Sequence, residues 1–307
     1  MAIEINLIDA PQPPRHIRKP DWLRVSLPMG DDYERVKAEV SALKLNTVCK
    51  EAACPNIAEC WGAGTATIMI LGDTCTRGCR FCNVKTGNPK GAVDWMEPVR
   101  VAEAVRDLGW KYLVLTAVDR DDLADGGALI FANTIRAIHE LVPGAKVEIL
   151  SGDYRGDRNA LDIVMDAKPD VFAHNLETVR RLTPTVRDKR ATYDQSLAML
   201  AHAKSRAPER YTKTSVMLGL GETEDEIEAT MNDARTVGVD IFTMGQYLQP
   251  TKKHLSVVEF VTPEKFARLG DLAKGKGFHQ VVSSPLSRSS YHAEQAFPQP
   301  GAQPYTS

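Results

Sequence analysis

Short apolar runs recur along the chain, and most are followed by a stretch with helical spacing. The first, residues 66–71 (ATIMIL), is continuous rather than alternating, the pattern of a strand buried on both faces. Residues 112–116 (YLVLT), 147–150, 171–174, 211–220 and 241–248 repeat the theme. Helical patterns follow near 128–141, 159–167, 194–206, 223–237 and 262–274. Glu224, Asp225 and Glu226 put negative charge into one first turn, and Pro263 suits the first turn of another. This alternation predicts a parallel sheet with right-handed crossovers. Six βα units predict an α/β fold, a partial (βα)6 TIM-type barrel with N-terminal and C-terminal extensions; a complete barrel would need more chain. The expected divisions are an extension over 1–64, the barrel over 65–280 and a tail over 281–307.

Composition changes this picture little. The 307 residues are 43% hydrophobic and 25% charged, and a net charge of −2 offers neither a nucleic-acid footprint nor a polybasic membrane patch. No stretch approaches the roughly 20 apolar residues that span a bilayer. Residues 1–20 lack the apolar centre of a signal peptide, Glu4 and Asp9 argue against a transit peptide, and Pro11, Pro13 and Pro14 predict an extended arm. The expectation is a cytoplasmic protein that binds neither nucleic acid nor membrane.

That compartment decides how the cysteines are read. All six fall between Cys49 and Cys82, and in reducing surroundings clustered thiols bind metal or do chemistry more often than they form disulfides. Cys75-Thr-Arg-Gly-Cys79-Arg-Phe-Cys82 follows the first strand, so its CxxxCxxC loop sits where α/β barrels place their chemistry. Three thiolates in one loop suit three irons of a four-iron cluster, with the fourth iron open to another ligand. Structural zinc prefers paired units totalling four ligands. Gly78 is expected to let the loop turn tightly, and Phe81 to shield one flank. The other triplet, Cys49, Cys54 and Cys60, has a CxxxxCxxxxxC spacing that fits neither a zinc ribbon nor a redox pair, and it too is one cysteine short of a cluster.

CxxxCxxC with an aromatic before its last cysteine is the signature of the radical S-adenosylmethionine superfamily. Together, TVCKEAACPNIAECW and GDTCTRGCRFCNV closely resemble the lipoyl synthase family. Lys19-Pro-Asp-Trp-Leu23, Thr116 to Asp122, His174-Asn-Leu-Glu-Thr178, Gly219-Leu-Gly-Glu-Thr223, Gln246-Tyr-Leu-Gln-Pro250 and Arg288-Ser-Ser-Tyr291 extend the resemblance over residues 19–293. It implies two 4Fe-4S clusters, one on Cys75, Cys79 and Cys82 with S-adenosylmethionine on the open iron, and an auxiliary one on Cys49, Cys54 and Cys60. A serine of the C-terminal motif completes the auxiliary set; resemblance favours Ser290 over Ser289, and adjacent extended residues would face opposite ways. A weak fourth ligand suits a cluster that must open.

For the cofactor, the resemblance points to Asn175 and Glu177, and makes ligands of Asp119 and Arg120 in the charged loop after the second strand. Lys213 and Ser215 alternate on one strand and so share a face. Gly219 and Gly221 do not complete a phosphate loop. Ser284 and Ser287 stand where the family more often has glycine and an apolar residue.

The implied reaction inserts two sulfurs, at carbons 6 and 8 of an octanoyl chain on a carrier lysine, using two S-adenosylmethionines and sulfur from the auxiliary cluster. Unactivated C–H bonds are beyond acid–base catalysis, so a radical cofactor must carry that step. The implied partners are an octanoylated lipoyl domain of 2-oxo acid dehydrogenase acyltransferase subunits or the glycine cleavage H protein, a ferredoxin or flavodoxin reductant, and an iron–sulfur carrier for cluster repair. The alternatives are another two-cluster radical enzyme such as a methylthiotransferase, an iron–sulfur electron carrier, and a zinc module.

Overall fold

The computed structural model describes residues 18–25, 30–63, 65–291 and 293–297. The expected N-terminal arm therefore lies outside the described residues, except for residues 18–20.

An eight-stranded sheet forms the wall, its strands adjacent in chain order: β1 (Asn46–Thr47), β2 (Thr67–Ile70), β3 (Tyr112–Ala117), β4 (Lys146–Leu150), β5 (Val171–Ala173), β6 (Tyr211–Leu218), β7 (Ile241–Gln246) and β8 (Gln280–Ser283). Every neighbouring pair is parallel except β1 with β2. Strands β2 to β7 are the six expected ones. Each is followed by a helix: α2 (Glu97–Asp107), α3 (Ala128–Leu141), α4 (Arg158–Met165), α5 (Tyr193–Arg206), α6 (Glu224–Thr236) and α7 (Pro263–Lys274), while α1 (Asp31–Ala42) precedes the wall. The sheet has two free edges, so the barrel is partial.

Burial explains the legible strands. Thr67–Ile70 and Ile241–Gln246 are buried at every position, which is why they read as continuous runs. The two added strands gave no such signal. β1 has only two residues, and all four residues of β8 (QVVS) are half-buried. Both lie at a sheet edge, and β1 and β8 carry the sheet across or up to the divisions expected at 64 and 280. Helix α2 also went unread, although Pro98 stands in its first turn.

The helices are closed locally. Thr223 and Glu226 form a reciprocal capping box on α6, and Thr192 and Thr262 cap α5 and α7. Inside the barrel the Lys213 ammonium donates to Glu148 at 2.8 Å, with both side chains 1% exposed, and the Tyr112 hydroxyl donates to the same carboxylate at 2.6 Å. This closed polar cluster joins β3, β4 and β6. It corrects the expectation that Lys213 binds a cofactor: its charge is already matched, and it does not line the cavity described next. None of the described helices is long and apolar enough to cross a membrane.

Candidate active site

A cavity of about 510 Å³ opens where the barrel strands end, and both cysteine segments reach it. Cys75, Cys79 and Cys82 line it from the first loop, Cys54 from the other, and Ser289 and Ser290 from the C-terminal tail.

The CxxxCxxC loop is held from three sides. Arg77, buried within it, donates two hydrogen bonds to Asp121, both at 2.9 Å, and two to Asp153, at 2.8 and 2.7 Å. One guanidinium thus ties the loop to the ends of β3 and β4 in the bidentate geometry arginine favours. Asp188 accepts from the Gly78 amide at 2.9 Å and donates its own amide to Cys79 Sγ at 3.3 Å. The Arg77 amide donates to Cys75 Sγ at 3.4 Å. His254 Nε2 meets the Cys82 carbonyl at 2.9 Å, fixing the far end. Phe81 packs with Val186, Leu220 and Tyr247, away from the main core. Gly78 does not play its expected conformational part: its φ is not left-handed, and an added Cβ would meet only the Thr86 methyl at 4.0 Å.

The other triplet is built on two short helices. Thr47 caps Val48–Glu51, which carries buried Cys49, and Cys60 lies in Ile57–Gly62. Both feel the charge of Cys54, so the three thiols form one group. Asn83 Nδ2 donates to the Glu51 carbonyl at 3.1 Å, joining the two cysteine segments.

The C-terminal tail closes the far side of this triplet. Asn56 Nδ2 donates to the Leu286 carbonyl at 2.8 Å, and the Tyr291 hydroxyl donates to Glu59 at 2.7 Å. Gly245 on β7 permits the approach, since a Cβ there would fall 2.0 Å from the Ser287 carbonyl oxygen. The unusual serines form a pair: Ser284 and Ser287 hydroxyls lie 2.7 Å apart. The tail is not extended at the motif. The Tyr291 amide returns to the Arg288 carbonyl at 3.1 Å in a turn, so Ser289 and Ser290 both line the cavity and strand alternation does not choose between them.

All six thiols are free, and burial raises the pKa of each. It pushes Cys60 and Cys79 up to about 12 and Cys82 to about 11. A metal must therefore displace protons on binding. Among the described residues, no three His, Cys, Asp or Glu side chains gather tightly enough for one metal ion. A four-iron cluster distributes its ligands over separate irons and is satisfied by three thiolates and a further donor, so the donor set fits clusters.

The cofactor side of the cavity holds an orphan. Asn175 Oδ1 is buried with no hydrogen-bond partner, and such a group needs one, as a ligand amine or hydroxyl would supply. Glu177 stands beside it with a left-handed φ of 67°. Burial raises its pKa, against the pull of Arg187 and a hydrogen bond from Asn175. Asp119 and Ser215 also line the cavity, and burial pushes Asp119 up to about 6 despite the opposing charge of Arg77.

Arg120 does not belong to this set. It is buried on Asp122 at 2.8 and 2.9 Å and on the carbonyls of Leu71 and Ala92, outside the cavity lining. The GLGE segment is also closed to phosphate, because the Glu222 carboxylate takes the Gly219 and Leu220 amides at 2.5 and 3.0 Å. Sequence reasoning missed Arg77, Asp153 and His254. Of these only Arg77, lying within the cysteine motif, had a local signal.

The radical SAM superfamily matches residues 69–234, and the N-terminal domain of lipoyl synthase matches residues 9–54. A lipoyl synthase of Thermus thermophilus is 56% identical over 296 residues, covering 96% of this chain and 92% of that one. Another, from Anaeromyxobacter sp., is 56% identical over 280 residues, with 91% and 95% covered. Among solved structures, the FeFe-hydrogenase maturase HydG from Carboxydothermus hydrogenoformans aligns with a TM-score of 0.55 at 15% identity, over 67% of this chain and 50% of that one. Coproporphyrinogen III oxidase from Escherichia coli gives 0.53 at 13% identity, with 74% and 57% covered. The two structural likenesses speak for the partial barrel, while identity over nearly the full length speaks for more: the chain belongs to the lipoyl synthase family of radical SAM enzymes.

Proposed function

We propose that the cavity performs the lipoyl synthase reaction with a fixed division of labour. Cys75, Cys79 and Cys82 hold the cluster that binds S-adenosylmethionine, and Cys49, Cys54 and Cys60 with Ser290 hold the auxiliary cluster. When bound, these groups supply the radical that takes hydrogen from an unactivated carbon and the sulfur that replaces it. The chain's own part is placement. Asn175 Oδ1 accepts from the cofactor's polar groups, Glu177, Asp119 and Ser215 complete its polar wall, and Arg77 fixes the loop beneath it. Apolar Val48, Met69, Val118 and Leu150 line the same cavity and suit an acyl chain, at about 0.8 kcal/mol for each methylene buried.

The observation that carries this reading is that Cys75, Cys79 and Cys82, Cys54 of the other triplet, the tail serines and the orphaned Asn175 reach one cavity. The octanoylated lipoyl domains named above, the ferredoxin or flavodoxin and the iron–sulfur carrier are the proposed partners. A cytoplasmic site of action accords with six thiols kept free.

Anaerobic turnover of the reconstituted enzyme with an octanoylated lipoyl domain, S-adenosylmethionine and a reductant, followed by mass spectrometry, tests the reading. About two 5′-deoxyadenosines per product are expected, one per C–H bond broken. Cofactor cleavage with no sulfur gain, despite an intact auxiliary cluster, would redirect the search to another substrate.

A further inference from the structure

Exposed cations that no carboxylate among the described residues matches gather along the segments that line the cavity. Lys19 lines it directly. Lys50 sits between lining residues Val48 and Ala52, Arg80 between Cys79 and Phe81, and Lys189 between Arg187 and Ala191. Lys252 and Lys253 follow Pro250 in the loop whose His254 holds the Cys82 carbonyl. All six side chains are exposed, and among the described residues none forms an ion pair with a carboxylate. Arg80 donates to a backbone carbonyl, that of Thr185, at 3.3 Å.

Carboxylates of the same rim are already matched. Asp73 faces Lys85, Asp188 faces Arg190, and Asp121 is shared by Arg77 and Arg190. Glu51 stands against the six cations. The whole chain has a net charge of −2, so the compensating negative charge lies away from the mouth. Separation of charge by face, in a chain nearly neutral overall, makes a local field that steers an approaching partner.

A substrate tethered to a protein gives this field its occupant. An acyl chain attached to a carrier lysine reaches the cavity only if the carrier's own surface covers the mouth. We propose that the lysine and arginine collar is the docking surface for the carrier domain, which meets it with an acidic face. This inference rests on the proposed function, because the tether is what brings a protein to this face. Rim charges of this kind act on encounter rate and salt dependence more than on the chemical step. The collar therefore sets the KM for the whole carrier and leaves a short acyl peptide largely indifferent to it.

Two measurements on the cluster-loaded enzyme test the collar. The first is calorimetric titration with an acidic lipoyl domain lacking any acyl chain, so that no chemistry is needed. Binding is expected to weaken roughly tenfold between 50 and 300 mM salt, since exposed charges are screened over about 8 Å at physiological ionic strength. The K252E/K253E variant is expected to lose at least tenfold in affinity, and K189E a smaller share.

The second compares KM for the octanoylated domain with KM for a short neutral octanoyl-lysyl peptide. K252E/K253E is expected to raise the first about tenfold and to leave the second within about twofold, the pattern of lost electrostatic docking. Binding that ignores salt and charge reversal, no measurable binding by the unaltered enzyme, or equal effects on both substrates would overturn the proposal. So would tighter binding of a single-stranded oligonucleotide than of the domain, which would assign the collar to nucleic acid. Salt-sensitive docking without sulfur insertion would leave the collar standing and sink the proposed function instead.

Discussion

Arg77 has the heaviest structural duty of any side chain near the thiols. Its four bonds to Asp121 and Asp153 span the ends of two strands, and removing the cation would leave two carboxylates facing each other in the interior. Breaking a buried ion cluster from one side costs about 3–5 kcal/mol. Arg77→Lys keeps the charge but cannot bridge both carboxylates. We expect reconstituted R77K to lose the radical-type cluster selectively, with iron and sulfide per chain falling from two clusters' worth towards one. Iron analysis alongside the electron paramagnetic resonance spectrum would show it.

His174 carries a pH dependence at the same scale. Its Nδ1 lies 2.9 Å from the Ser151 carbonyl and its Nε2 2.8 Å from the Ser196 hydroxyl, which itself accepts from Arg187. The donors run in one direction only if the ring is neutral, with hydrogen on Nδ1. Burial lowers its pKa from 6.5 to about 4. Below pH 6.5 the unfolded chain binds a proton that the folded one refuses, so this contribution is complete above 6.5 and is lost as pH falls towards 4. The loss is roughly 3 kcal/mol. Denaturant melts of the metal-free protein should show that slope, and H174Q should flatten it.

At the scale of elements, legibility followed burial. The buried parallel strands announced themselves as apolar runs, although β6 buries Thr212, Lys213 and Thr214, and the helices that follow them did so by period and cap, α2 excepted. Strand β8 gave no strand signal because it is half-buried, and the tail beyond it showed a motif but not its path, which is pinned by backbone contacts to residues far away in the chain. Lys213 shows the converse error: strand alternation put it on the same face as Ser215, but not at the same depth. Ser215 lines the cavity, and Lys213, nearer the start of β6, is spent on Glu148.

Gly245 sets how closely the tail packs, since its bare Cα is what lets the tail cross β7. A Cβ 2.0 Å from the Ser287 carbonyl oxygen must push the tail away. Gly245→Ala is expected to disturb the auxiliary cluster while sparing the other, because the CxxxCxxC loop is anchored independently by Arg77, Asp188 and His254. Mössbauer spectra should show altered auxiliary irons in G245A, with S-adenosylmethionine cleavage still detectable. An unchanged auxiliary spectrum would mean that the tail reaches its place without this contact.

The whole molecule joins two sites that the sequence keeps in separate segments. Asn56, between Cys54 and Cys60, reaches the Leu286 carbonyl 230 residues away, and Tyr291 returns to Glu59 across 232. No local pattern reveals such pairs, and the motif resemblance said which residues matter without saying what clasps them. The clasp holds the auxiliary triplet against the tail serines, whereas the CxxxCxxC loop is anchored on Asp121, Asp153 and Asp188. Loosening it should therefore separate the two halves of the reaction. Asn56→Ala is expected to keep cofactor cleavage within about twofold, yet to raise the ratio of 5′-deoxyadenosine to inserted sulfur severalfold, because misplacing a reacting group by about 1 Å can cost a hundredfold in rate. Quantifying both products in one anaerobic assay decides it. A proportional fall in both would mean that the clasp supports the entire cavity, and an unchanged ratio would mean that the auxiliary site is held by its own helices alone.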